Sequence, residues 1–420
     1  MTSPDVLVVG GGPGGAAAAY WLAKAGLSVL VAEKKAYPRD KTCGDGLTPR
    51  AVKQLIDMGF DFDVPELHRI TGLRAYAGDL TIELPWPEHS IYPSWGAVIR
   101  RADLDMQVAT LAEKQGAIVR QRTEAVAVVE SGRLAAVELR EKDGDRDVVT
   151  DVVTPKVTVI ADGSLSRFGR ALGTSRRRDY PYGMAIRAYY ESSNSKDSML
   201  ESQLNILDAE GRTLPGYGWI FPLGDGTINV GAGVLSSFKG WKDVNTSRVL
   251  DAYVGSLPGY WEVTAESQLT RPVGGKLPMA LSVGPRVGSN WIAIGDAAGA
   301  VNPFNGEGID YAYETGRLAA VHVGRAIGSR DMSLLHRYSQ ALEDEYSDYN
   351  RVARAFVIAI GNPKVMKTLT RLGLRSRPLM EWVLKVMANL LEPEDQGMSE
   401  RVYHAIERVV KVGPDPLLKP

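Results

Sequence analysis

Near its start the chain runs Asp5-Val6-Leu7-Val8-Val9 and then straight into Gly10-Gly11-Gly12-Pro13-Gly14-Gly15 and an alanine-rich stretch. An unbroken apolar run of this length predicts a strand buried on both faces, and the glycine-rich turn opens a helix. A second apolar run, Ser28-Val29-Leu30-Val31-Ala32, ends at Glu33. Gly10, Gly12 and Gly15 stand at the three spacings of a dinucleotide-binding turn. Gly10 permits the tight turn, Gly12 lets the backbone approach a pyrophosphate, and Gly15 lets helix and strand pack closely. The helix start adds free N–H groups and the positive end of its dipole. Glu33 is placed to accept hydrogen bonds from a pair of ribose hydroxyls. The segment therefore predicts nucleotide binding.

The same stretch competes with a membrane span, because Val6 to Ala23 carries no charge. Its five glycines and one proline, without basic flanks or a cleavage site, fit a buried strand and a helix start better. No other segment resembles a signal peptide or a span. A soluble or surface-bound cytoplasmic protein is expected.

A length of 420 residues predicts two or more structural units. A formal net charge of -1 argues against a nucleic-acid binder. Cys43 is the single cysteine, so neither an internal disulfide nor a cysteine metal cluster can form. The five histidines include no His-x-x-x-His pair, and no metal site is expected.

Along the chain, residues 1 to 35 read as β-α-β. Helices are predicted from Pro49 to Met58 and from Asp103 to Gln115, the second with Leu104, Val108 and Leu111 on one face. Strands follow at Ala125 to Val129, Leu134 to Arg140 and Val157 to Ala161. The expected α/β fold has a Rossmann-like nucleotide domain over 1–179 with 276–330, which also lends strands around 70–100 to a second sheet. An antiparallel substrate sheet is expected over 180–275, with strands at Met184 to Tyr190 and Thr227 to Gly231. A buried strand from Trp291 to Ile294, a helix from Gly308 to Ile327 and a helical segment over 331–420 complete the reading.

Two further motifs share one layout. Val159-Ile160-Ala161-Asp162-Gly163 and Ile292-Ala293-Ile294-Gly295-Asp296 are buried strands ending beside an aspartate just ahead of a helix. An aspartate there commonly caps the helix. After Asp296, the run Gly299-Ala300-Val301-Asn302-Pro303-Phe304-Asn305-Gly306-Glu307-Gly308 leaves backbone N–H groups exposed, a surface suited to a phosphate or to the electron-rich edge of a flavin.

Together these three motifs resemble the signatures of the FAD-binding fold, of glutathione-reductase type, shared by aromatic hydroxylases, flavin halogenases and geranylgeranyl reductases. The resemblance spans residues 5 to 325. It implies that Gly10, Gly12, Pro13, Gly14, Gly15, Glu33 and Lys34 hold the ADP half. Asp296 would bind the flavin-side ribityl and pyrophosphate, and Asp162, Gly295, Gly306, Gly308 and Ile309 would be further FAD-binding residues. Arg101, heading Arg101-Ala102-Asp103-Leu104-Asp105, matches an arginine that commonly touches FAD; otherwise it is an ordinary exposed arginine.

Tyr217-Gly218-Trp219-Ile220-Phe221-Pro222, followed by Gly231-Ala232-Gly233, resembles the signature of geranylgeranyl reductases. Strand alternation puts Tyr217, Trp219 and Phe221 on one face, either as an apolar wall for an isoprenoid chain, with Pro222, or as a plain core ladder. The run Cys43-Gly44-Asp45-Gly46 resembles the family's cysteine-glycine segment beside the flavin. Asp45 between the glycines matches the actinobacterial branch that includes mycobacterial menaquinone reductase. A lone cysteine is otherwise a small buried hydrophobe.

The resemblance implies hydride transfer from reduced FAD to an isoprenoid double bond, of menaquinone first and of a geranylgeranyl diphosphate or lipid second. The proton donor stays open among Cys43, Tyr217 and an ordered water, with Trp219 lining the substrate. No second glycine fingerprint is present, so NADPH, NADH, ferredoxin and quinol all remain as electron donors. Between Arg351 and Leu391, Arg351, Arg354, Lys364, Lys367, Arg371, Arg375, Arg377 and Lys385 face a single acid, Glu381, among apolar residues. Such a segment suits an anionic membrane surface or a helical cap with a solvated face. The competing functions are a flavin monooxygenase or halogenase and a non-catalytic prenyl-lipid carrier. Against the halogenase, Tyr217 stands where those enzymes carry a tryptophan, and Phe221 where they carry isoleucine.

Overall fold

The computed structural model describes residues 3–144, 146–392, 403, 407 and 408. Five short strands form a parallel sheet in the order Trp291–Ala293, Val157–Ile160, Val6–Val9, Val29–Ala32 and Ile118–Arg120. Both faces of the sheet are covered, so its inner strands are buried residue by residue. The helix Pro13–Lys24 packs on one face between the helices Arg101–Lys114 and Ile309–Ser329. Only small side chains let these helices approach: a Cβ at Gly316 would lie 2.7 Å from the Gly14 carbonyl oxygen. An antiparallel meander, Thr123–Glu130, Arg133–Asp143 and Arg146–Val153, covers part of the other face.

A second sheet of seven strands runs in the order Val273–Pro278, Tyr182–Glu191, Thr227–Leu235, Gly216–Pro222, Met199–Gln203, Gly72–Ala77 and Leu80–Pro85. Its outer face packs Ile186, Ile220 and Val230 against Tyr253 of the helix Thr246–Val254 and against Trp261. Its inner face looks toward the parallel sheet, and the cavity lies between them. The helices Arg337–Ile360, Pro363–Leu374 and Arg377–Met387 close the cavity from one side.

Several expectations shift. Strand Val273–Pro278 crosses the expected 275/276 boundary, because Gly274 and Gly275 interrupt the apolar pattern that would have marked it. Met199–Gln203 pairs parallel with Gly72–Ala77 within the otherwise antiparallel sheet. The second predicted helix begins at Arg101, two residues early; Leu104 and Val108 are buried with Ala109 and Ala112, and Leu111 packs partly buried against the same core. The predicted helical segment beyond 392 falls outside the described residues, apart from 403, 407 and 408. Among the described residues, no helix is long and apolar enough to cross a membrane.

Candidate active site

The glycine turn is built by sterics. Gly10 has φ +97°, and a Cβ there would lie 2.5 Å from the Ala161 carbonyl oxygen. A Cβ on Gly15 would overlap the Gly10 carbonyl oxygen, so Gly15 serves packing and does not line the cavity. Gly12 differs: a Cβ there meets only Arg39 Nη2, at 3.8 Å, and would project into the cavity. Glu33, buried at the end of its strand, accepts hydrogen bonds from Gly11 N, Lys35 N and Arg39 Nη2. Arg39 also bridges to Asp105 at 2.9 Å. Lys34 lines the same end of the cavity and pairs with Glu124 at 2.6 Å.

Gly10, Gly12, Pro13, Gly14, Glu33, Lys34, Cys43, Gly44, Gly46, Arg101, Asp162, Gly295, Asp296, Gly306, Gly308 and Ile309 all line one cavity of about 1430 Å³. Asp162 is partly committed, because its Oδ2 caps the helix Arg167–Ala171 through Phe168 N at 3.0 Å. Arg101 lies buried and forks onto Asp105 at 2.8 Å through both Nε and Nη2. Asp296 is the opposite case: its carboxylate accepts no hydrogen bond from the described residues. Burial raises its pKa against the opposing charges of Lys41 and Arg101. An acceptor in this state fits the hydroxyls of a ribityl chain. Together, the Gly12 opening, the buried Glu33 and the acceptor at Asp296 fit a flavin dinucleotide.

Asp45 and Pro222 do not line the cavity and depart from expectation. At φ +67° Asp45 turns its carboxylate inward, where it accepts from Tyr189 Oη at 2.5 Å, Asn229 Nδ2 at 2.8 Å and Arg101 N at 3.1 Å. Burial pushes its pKa up in spite of these donors. Pro222 is buried at the strand end with its ring away from the cavity wall.

Tyr217, Trp219 and Phe221 stand side by side on that wall, with ring centres 6.0 and 6.2 Å apart. The Cys43–Gly46 loop lies directly against them. A Cβ on Gly44 would come within 2.9 Å of Phe221 and 3.2 Å of Trp219 Nε1. Trp219 donates to Asn229 at 3.0 Å, and Asn229 donates in turn to the Cys43 carbonyl at 2.9 Å. The triplet thus supports the loop as well as lining the cavity. Arg187, buried, donates to the Cys43 carbonyl at 3.3 Å and anchors the residues just before the loop through Asp40 at 2.5 Å and the Lys41 carbonyl at 3.1 Å. Burial pushes the Cys43 thiol up, so it stays neutral.

Sequence reasoning assigned no role to Arg39, Thr48, Arg187, Asn229 or Glu307. Arg187 and Asn229 sit mid-strand, and only the paired register carries them to the loop. Glu307 carries a local signal, a carboxylate between Gly306 and Gly308. The basic segment changes too: Arg354 is buried with its guanidinium 4.1 Å from the Tyr180 ring centre, and Arg377 pairs with Glu381 at 2.9 Å.

Residues 3–202 match the FAD binding domain family. The menaquinone reductase of Mycobacterium tuberculosis is 39% identical over 401 residues, covering 96% of this chain and 95% of that protein. A digeranylgeranylglycerophospholipid reductase of Methanopyrus kandleri is 30% identical over 83% of this chain and 88% of its own. Among solved structures, a geranylgeranyl bacteriochlorophyll reductase-like protein of Thermoplasma acidophilum superposes with a TM-score of 0.76 at 24% identity. That match covers 97% of this chain and 100% of the other. Flavin-dependent halogenases share the fold at lower identity. The chain belongs to the geranylgeranyl reductase family of FAD-dependent oxidoreductases, in the branch of the mycobacterial menaquinone reductases.

Proposed function

We propose that this protein saturates carbon–carbon double bonds of an isoprenoid chain, with the tail of menaquinone as the foremost substrate. The observation that carries the reading is one continuous cavity, with the nucleotide cradle at one end and the wall of Tyr217, Trp219 and Phe221 beside it. At about 1430 Å³ it exceeds the usual range of small-molecule pockets, roughly 300–1,000 Å³. That volume suits a dinucleotide together with an elongated apolar chain.

When bound and reduced, FAD supplies the hydride. An isolated alkene accepts hydride poorly, so the second carbon must receive a proton as charge develops. The aromatic wall stabilises transient positive charge and keeps water from the reacting carbons. Asn229 and Arg187 both donate to the Cys43 carbonyl and hold the Cys43–Gly46 loop in place against that wall.

The cavity reaches the surface at Leu369 and Leu379, which line it and are also exposed. Val365, Leu369 and Leu372 form one exposed apolar stripe of the helix Pro363–Leu374, which also carries exposed Lys364, Lys367 and Arg371. This combination supports docking on an anionic bilayer, from which a long tail enters without crossing water.

The test is anaerobic. Reduced enzyme mixed with a polyprenyl quinone should be reoxidised and yield a product two hydrogens heavier per bond reduced. Oxygen-dependent turnover with an oxygenated or halogenated product would replace this reading with a monooxygenase or halogenase.

A further inference from the structure

The cavity wall carries one carboxyl group beside the aromatic triplet that no step described so far uses. Glu307 follows Asn305 and Gly306, and the Asn305 carbonyl accepts the Tyr217 hydroxyl proton at 2.5 Å. Its own carboxyl is held from two sides, by the Thr48 hydroxyl on Oε1 and by Asn305 Nδ2 on Oε2 at 3.2 Å. The loop is closed by Asn302 N to the Glu307 carbonyl at 2.8 Å and by Glu307 N to Asn305 Oδ1 at 3.0 Å. The carboxyl therefore sits in a fixed position on the wall.

One turn further, Asp310 is fully buried, and both its oxygens lack a hydrogen-bond partner among the described residues. Glu314 follows on the same helix, where it takes hydrogen bonds from Arg50 at 2.9 Å and Tyr346 at 2.8 Å. Glu307 just ahead of the helix Ile309–Ser329, and Asp310 and Glu314 on it, are thus three carboxyls served by one guanidinium. The Arg50 charge is committed to Glu314, and burial favours the neutral form of both Glu307 and Asp310.

The other acids of the cavity wall are engaged or lie elsewhere. Glu33 and Glu124 serve the Arg39 and Lys34 end, Asp40 holds Arg187, Asp162 caps a helix, and Asp296 follows the strand end opposite the glycine turn. Tyr217 has its proton committed to the Asn305 carbonyl, and burial makes both Tyr217 and Cys43 weaker acids than usual.

We propose that the Glu307 carboxylic acid is the proton donor of the reduction, which rests on the function proposed above. The π bond of the alkene breaks, one carbon takes the hydride, and the other takes the Glu307 proton. Two C–H bonds form, and Glu307 is left as a carboxylate that regains a proton from solvent before the next turnover. Burial pushes the Glu307 pKa up to about 7, with Glu314 raising it and Thr48, Asn305 and Arg50 opposing. Tyr217 from its strand and Asp310 one turn on are the other titratable groups beside it. The acid form is therefore available at neutral pH, where a general acid works best.

The experiment follows anaerobic reoxidation of reduced holoenzyme by a polyprenyl quinone against pH. Infrared titration of the protonated-carboxyl stretching band runs alongside in substrate-free protein. Glu307→Gln should lower the reoxidation rate by at least about 100-fold, keep its FAD and lose a carboxyl band that titrates near neutrality. Thr48→Ala, which removes a donor to the ionised form, should move the alkaline fall in rate to higher pH. A Glu307→Gln enzyme with wild-type rate and pH profile overturns the proposal, and so does a Thr48→Ala profile that does not move. Persistence of the titrating band in Glu307→Gln also overturns it. Wild-type enzyme that no polyprenyl quinone reoxidises would instead overturn the function itself, and this role with it.

Discussion

Gly231 stands directly opposite Trp219 in the paired strands Thr227–Leu235 and Gly216–Pro222, and a Cβ on Gly231 would overlap the indole ring. The glycine pair after the aromatic triplet is thus a seat for one side chain. Gly233, opposite Tyr217, is less constrained: a Cβ there would sit 3.7 Å from the indole, an ordinary contact.

Gly231→Ala should therefore displace Trp219 and cost about 1–3 kcal/mol through overpacking. Gly233→Ala should stay within about 0.5 kcal/mol of wild type. Chemical unfolding with tryptophan fluorescence separates the two. Equal stability of both variants would show that the indole does not need the Gly231 seat.

At Gly12 the expected effect falls on the cofactor and not on the fold. Gly12→Val projects into the cavity beside the glycine turn, where it should weaken FAD binding by at least about 100-fold, or ~2.7 kcal/mol. The apoprotein should unfold within about 0.5 kcal/mol of wild-type apoprotein, since no protein atom lies closer than 3.8 Å to the added Cβ. Full FAD occupancy in the purified variant would remove the pyrophosphate from this turn.

The glycine turn and the aromatic triplet were legible because their geometry is local. Gly10, Gly12 and Gly15 act within one strand–turn–helix unit, and Tyr217, Trp219 and Phe221 share a face by simple alternation. Asp45 was misplaced for a reason of the opposite kind. Its neighbours Gly44 and Gly46 do line the cavity, but its own left-handed backbone turns the carboxylate toward Tyr189 and Asn229, far away in sequence. The loop's supports, Arg187 and Asn229, were invisible because they reach it only through the pairing of Tyr182–Glu191 with Thr227–Leu235. The strand Val273–Pro278 likewise owes its place to its neighbour and not to its own glycine-rich pattern.

Asp45 also gives a pH prediction. Its native pKa is raised by burial, so the folded state holds its proton more tightly than the unfolded chain. Stability from this group is full below the unfolded pKa of 3.8 and is lost as pH rises toward the native value. Asp45→Asn removes the ionisation; it keeps one acceptor oxygen while its Nδ2 faces donors that served the carboxylate, a loss that does not vary with pH. Relative to wild type, the variant should gain stability as pH rises from about 4, by no more than ~1.4 kcal/mol per pH unit. Denaturant unfolding across that range checks it, and parallel curves for the two proteins would show that Asp45 titrates normally.

The helix Pro363–Leu374 makes the last prediction, because it joins the cavity to the surface. Leu369 lines the cavity and is 46% exposed, and Leu372 on the same stripe is 57% exposed. Each basic residue close to an anionic bilayer contributes about 1 kcal/mol, and salt screens it. Reversing Lys364, Lys367 and Arg371 to Glu should therefore abolish binding to anionic vesicles at low salt while FAD content and thermal unfolding stay unchanged. Leu372→Asp should weaken the same binding through lost apolar insertion, and less steeply with salt. Turnover of a full-length lipid quinone should fall far more than that of a short soluble isoprenoid, because only the long tail has to leave a bilayer. Equal vesicle binding by wild type and the triple variant at low salt would make these helices a solvated cap over the cavity, with the substrate arriving by another route.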